Sequence, residues 1–286
     1  MSMARKSLVV FAFITGLASI AYGRVQALFI RDQEVQPKDA GDRPVVFLLH
    51  GLANSPIAMK ALELEGRKRG YVVVNWGYRT RHHSVDEIAT KLAKAVKPFE
   101  NGSGPIHFVG HSMGGIVIRR LLDIHRPKNL GRVVMIGTPN QGSDVAERVG
   151  DWHLFQFLYG QTGQDLRKQT TSTAVVAGIP PCEFGVIAGG TGTRYGMNPL
   201  LPGDDDGLVT VVSTRIPGMT DWIRLPHAHG LMQVMPRTVH NTFLFLETGR
   251  FEDYAPRDFV QRDPQEPWRI VRVPGRIEDA QDIAQP

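Results

Sequence analysis

Between Pro44 and Thr248 the apolar positions follow two alternating rhythms. The first is a short unbroken run. It occurs at residues 45–49, at 72–74 leading towards Trp76, and at 106–109, 133–136, 184–188 and 222–225. Runs of this length, rich in Val and Ile, suit strands covered on both faces, as in a parallel sheet. The second rhythm is helical. Residues 58–69 carry it and stop at Gly70, while residues 84–99 place Val85, Ile88, Leu92, Ala95 and Phe99 on one stripe. Ser84 stands where an N-cap belongs, with Glu87 three positions on. Residues 113–124 and 236–248 are two further helices, the last stopped by Gly249. Strands alternating with helices predict βαβ units, hence an α/β fold with a mostly parallel central sheet and helices on both faces.

Three stretches break the alternation. Residues 141–173 gather Trp152, Leu154, Phe155, Phe157, Leu158 and Tyr159. They read as a small lid or cap insertion supplying an apolar site, or as a helix packed on the core. Residues 31–43 are polar with Pro and Gly, a linker, and residues 251–286 are a polar C-terminal tail. At the start, Arg5 and Lys6 precede an apolar run from Leu8 to Tyr22, with Ser19 and Ala21 as small residues for cleavage. Residues 1–30 thus read as an export signal or, because Val25 to Ile30 is again apolar, as a membrane anchor. Either places the catalytic body (residues 44–250) outside the cytoplasm.

Composition narrows the function classes. The net charge of +5 would suit an anionic partner, but the Lys and Arg residues are scattered apart from Arg67, Lys68 and Arg69. That argues against a nucleic-acid stripe. The lone cysteine, Cys182, excludes an internal disulfide and a multi-cysteine metal site.

The candidate chemistry lies at Gly110-His111-Ser112-Met113-Gly114. This Gly-x-Ser-x-Gly string follows one expected strand directly and opens an expected helix, the setting of a nucleophile elbow with Ser112 at its tip. A serine hydroxyl attacks only when a base takes its proton, so a carboxylate and then a histidine should follow in the chain. Asp206, before Gly207, is the preferred acid, with Asp204 and Asp205 as alternatives. His229 is the preferred base, with His227 second. His240 falls in the last helix, His82 and His83 have no metal-ligand partner at useful spacing, and His111 lies inside the elbow. The N–H groups of Met113 and of Leu52, in the loop His50-Gly51-Leu52, are the expected oxyanion donors.

These strings, with Ile136-Gly137-Thr138-Pro139-Asn140-Gln141-Gly142-Ser143, resemble the bacterial lipase/esterase branch of the α/β-hydrolase superfamily over about residues 44–250. Asn140 departs from the His often found there. The resemblance implies an α/β-hydrolase fold and cleavage of lipid-like or short-chain carboxylic esters, with no metal or organic cofactor. Two other readings of the same residues stand beside it. One is an acyltransferase using the same triad; the other is a membrane-tethered binding protein on a non-catalytic hydrolase fold.

Overall fold

The computed structural model describes residues 40–80, 83–142, 177–199 and 201–252, together with the backbone of residues 258–262 and 270–274. The N-terminal apolar segment, His82 and nearly all of the expected lid lie outside the described residues.

Six strands form one sheet in the order β2-β1-β3-β4-β5-β6. They are β1 (Val45–Leu49), β2 (Val72–Trp76), β3 (Ile106–His111), β4 (Leu130–Ile136), β5 (Phe184–Gly189) and β6 (Asp221–Leu225), and every pairing is parallel. The helices are α1 (Lys60–Lys68), α2 (Val85–Val96), α3 (Met113–Ile124) and α4 (Pro236–Thr248). In α2 the expected capping box is complete: Glu87 N–H donates to Ser84 Oγ, and Ser84 N–H donates to the Glu87 carboxylate. The first helix begins later than its spacing predicts, because Pro56 opens a 3-10 turn, Pro56–Met59, ahead of it. Arg67, Lys68 and Arg69 close α1, where Arg67 pairs with Glu63, and Arg69 with Glu65 and Glu247.

Alternation along the strands divides the core in two. Val45, Phe47 and Leu49 join Val85, Ile88 and Leu92 of α2 and Ile116, Val117 and Leu121 of α3. Val46 and Leu48 face the other way, into a cluster with Leu62 of α1 and Phe243 and Leu246 of α4. Continuous apolar strands are required because both faces are covered. Gly66 lets α1 lie close on α4, since a Cβ there would come within 2.9 Å of the Phe243 ring.

The chain runs from β1 outward to β2, then crosses back over to β3 on the other side of β1. The connections after β1 and β3 therefore diverge, and the crevice beyond the carboxyl ends of these two strands is where open α/β sheets place ligands. Ser112 directly follows the last residue of β3 at that edge. One irregularity lies further back: the β3/β4 register shifts between Ile106 and Phe108, and the His107 ring accepts the Arg132 N–H at 2.9 Å. Beyond Phe251, where the pattern reads as a polar tail, β7 (Asp258–Arg262) and β8 (Ile270–Pro274) pair antiparallel. None of the described helices is long and apolar enough to cross a membrane.

Candidate active site

Ser112 occupies the turn between β3 and α3 with φ 55° and ψ −124°, a conformation that side chains with a Cβ rarely adopt. The strain persists because close packing leaves the turn no alternative. A Cβ on Gly110 would lie 2.5 Å from the backbone of Gly114 and Gly115, and one on Gly114 would lie 2.4 Å from the Leu49 carbonyl oxygen. Both obstacles are backbone, so nothing can swing aside. Gly110→Ala and Gly114→Ala are each expected to lower stability by about 3 kcal/mol or more. Gly230→Ala, with nothing within 4 Å of its Cβ position, should be near neutral. Urea denaturation of the three variants checks this.

The turn aims the Ser112 hydroxyl at His229, donating to Nε2 at 2.9 Å. His229 Nδ1–H donates to Asp206 Oδ2 at 2.7 Å. The other carboxylate oxygen, Oδ1, accepts the N–H groups of Leu208 at 3.0 Å and Val209 at 2.7 Å, which sets the plane of the carboxylate. His229 N–H also donates to the Asp206 carbonyl at 2.8 Å, so the two loops are joined through backbone as well as side chain. Asp206 and His229 are buried, while Ser112 is half-buried. Gly137, with φ 56°, passes beneath this pair: a Cβ there would sit 3.3 Å from His229 Nδ1 and 3.4 Å from Asp206 Oδ2.

The neighbouring acids have different surroundings. Asp204 accepts the N–H groups of Thr191 and Gly192 and lies 3.8 Å from the Arg224 guanidinium. Asp205 accepts the N–H groups of Gly207, Asn198 and Met197 through Oδ1. Burial raises its carboxyl to about 6, against the pull of those amides. Both organise the loops on either side; neither is hydrogen-bonded to a histidine among the described residues. Of the two histidines after β6, only His229 meets Ser112. His227 is buried with its Nε2 unpartnered among the described residues, and burial lowers its basicity. His240 is about half-exposed and pairs with Glu252.

The expected oxyanion loop lies against Ser112, since a Cβ on Gly51 would fall 3.1 Å from Ser112 Cβ. Leu52 follows it, half-buried against the core. Tyr78 stacks on the His50 ring at 4.1 Å and donates its hydroxyl to the His50 carbonyl. Ala53, at φ 54°, donates its N–H to Thr80 Oγ1 at 3.0 Å. Met113 is the first residue of α3, whose leading N–H groups have no intrahelical acceptor.

Two residues of the surround were not assigned roles by pattern. Arg119 is buried in α3 and donates to the carbonyls of Asn140, Ala177 and Gly178, tying together the chain on either side of the 143–176 segment. Its signal was a charge on the apolar stripe of an amphipathic helix. Asn140 serves the same junction, donating to the Thr214 carbonyl at 2.7 Å and accepting from Arg119. No group of three or more metal-ligating side chains gathers among the described residues.

A parallel sheet with an elbow serine, a histidine and a buried carboxylate in hydrogen-bonded series is the architecture of an α/β hydrolase. The family model for the alpha/beta hydrolase family matches residues 45–277, and the chain belongs to that family. Among solved structures, it is similar to the mature form of the Bacillus licheniformis lipase BlEst2, with TM-score 0.58 and 19% identity over 74% of this chain and 93% of that one. The product of the Listeria innocua gene lin2722 superposes with TM-score 0.50 and 17% identity, over 74% and 96% of the two chains. The metagenomic carboxyl esterase MGS0156 does so with TM-score 0.50 and 16% identity, over 66% and 65%. At these identities the likeness is one of fold. No curated protein sequence matches the chain.

Proposed function

We propose that this hydrolase cleaves carboxylic esters, lipid-like or short-chain, through an acyl-enzyme on Ser112. The observation that carries the reading is the unbroken series Asp206–His229–Ser112, at 2.7 and 2.9 Å, ending on a serine held at a strained turn. Lipase and carboxyl-esterase names among the structural neighbours agree with it.

In this mechanism His229 Nε2 takes the Ser112 proton as Oγ attacks the ester carbonyl carbon. Asp206 steadies the imidazolium through Nδ1–H. The N–H groups of Leu52 and Met113 hold the tetrahedral oxyanion. His229 then returns the proton to the leaving alkoxide, and the alcohol departs. Water, deprotonated by the same imidazole, attacks the acyl-enzyme, releasing the acid and restoring Ser112.

A fluorophosphonate should add covalently to Ser112 of the folded protein, with the adduct located by peptide mass spectrometry. A panel of p-nitrophenyl esters of graded chain length should show turnover that disappears in labelled protein. Absence of labelling, or full turnover after complete labelling, would refute the proposal.

A further inference from the structure

His111, immediately before Ser112, takes no part in the proton relay, yet its ring touches both loops that flank the nucleophile. Its Nε2–H donates to the His229 carbonyl oxygen at 3.0 Å, and the two rings lie 4.9 Å apart between centroids. The opposite ring edge faces the oxyanion loop, where a Cβ on Gly51 would lie 3.2 Å from His111 Nδ1. The side chain is 3% exposed, and its backbone is the last residue of β3, paired with Ile136.

His229 needs such a support. It lies past the end of β6, beyond the sheet register, where Pro226-His227-Ala228 leads into a 3-10 helix, His229–Val234, that opens on the base itself. Its N–H is held by the Asp206 carbonyl and its C=O by His111, so its backbone is gripped from both sides. The grip from the acid loop orients the ring towards Asp206. The grip from the elbow ties the base to the same turn that carries the nucleophile.

We propose that His111 is a positioning residue, a rigid strut between the elbow and the His229 backbone that sets the Ser112–His229 distance. The inference rests on the Ser112–His229–Asp206 reading above. An imidazole suits the task for two reasons. Burial keeps it neutral, with its pKa pushed down to about 3, so it offers an N–H without a charge beside a base that must itself become cationic. The ring also carries its Nε2–H three bonds from Cβ, the reach that meets the His229 carbonyl oxygen.

Three variants of the full chain test this: His111→Leu, His111→Asn and His111→Gln. The Gln amide nitrogen is the same number of bonds from Cβ as imidazole Nε2, whereas Asn reaches only as far as Nδ1. With a short-chain p-nitrophenyl ester, Leu and Asn should lower kcat roughly 10- to 100-fold, the scale of a small misplacement of a reacting group. KM should change little, and the rate of fluorophosphonate labelling at Ser112 should fall in parallel. Gln should recover most of both. Equal losses in Gln and Asn, unchanged kcat in all three, or a loss confined to KM would overturn the strut. Melting temperatures identify any variant whose loss is unfolding, and Gln against Asn, both polar, keeps the comparison decisive. If the unaltered protein is not labelled at Ser112, it is the triad reading that fails, not the strut.

Discussion

Ser112→Ala is expected to reduce ester turnover by about 10⁴- to 10⁶-fold while leaving the fold intact, because a nucleophile and its base act as one unit. Alanine keeps the Cβ that already tolerates φ 55° at this turn, so the substitution removes only the hydroxyl and its 2.9 Å bond to His229. Two comparisons make the result diagnostic. His229→Ala should cost a similar factor, and the double variant should be little worse than either single one. Asp206→Asn should cost somewhat less, about 10⁴-fold, by presenting an N–H where His229 Nδ1–H needs an acceptor. Asp204→Asn should spare the chemistry, since that carboxylate holds Thr191 and Gly192. The measurement is kcat for a p-nitrophenyl ester. Full turnover in Ser112→Ala would end the ester-hydrolase proposal.

The second large effect is on stability in mild acid. Burial lowers His50 and His107 to about 4 and His111 to about 3, from an ordinary value of 6.5. Burial outweighs the hydrogen bonds from His50 and His111 to carbonyls, which favour the charged ring, and at His107 the Arg132 charge adds to the burial. Below pH 6.5 the unfolded chain binds protons that the folded chain refuses. The stability present above that value is therefore lost as pH falls towards the folded pKa values. Three protons give a slope of about 4 kcal/mol per pH unit at full effect. Asp205 works in the opposite direction between about 6 and 3.8, because its raised pKa makes the folded state the better proton acceptor there. The net slope should be about 2 to 3 kcal/mol per pH unit between pH 6 and pH 4.5. Urea unfolding across pH 7.5 to 4.5 measures it. His107→Gln, remote from Ser112, should remove about one proton's share of that slope. A flat profile below pH 6.5 would contradict the assignment.

Much of the scaffold was legible in the chain because it is local or periodic. Continuous Val/Ile/Leu runs can only be comfortable as strands covered on both faces, and helical stripes stop where Gly70 and Gly249 relieve them. The boundaries of α3 and α4 follow from Ser112 and Gly249 directly. Strand ends were less legible. β3 continues two residues past its apolar run to His111, and β4 starts earlier, at Leu130, because pairing with a neighbour holds residues that hydrophobicity does not mark.

The site divides along the same line. Order along the chain (a glycine-framed serine, then an acid, then a histidine) pointed to loops that the fold brings together, because the elbow's demands are steric and short in range. Choosing within a loop was beyond it. Asp204, Asp205 and Asp206 are chemically identical in sequence, and only the folded loop turns one carboxylate towards His229 and two towards backbone amides. His227 and His229 are separated likewise by where the chain leaves β6. The role of His111 was hidden for the same reason, since its partner is a backbone carbonyl 118 positions away. Sequence alone therefore determined the sheet, its helices and the serine at the elbow, through contacts between near neighbours. Which acid and which histidine meet that serine, and what holds them there, was decided by tertiary structure, because those bonds join distant loops whose separation only the packed sheet sets.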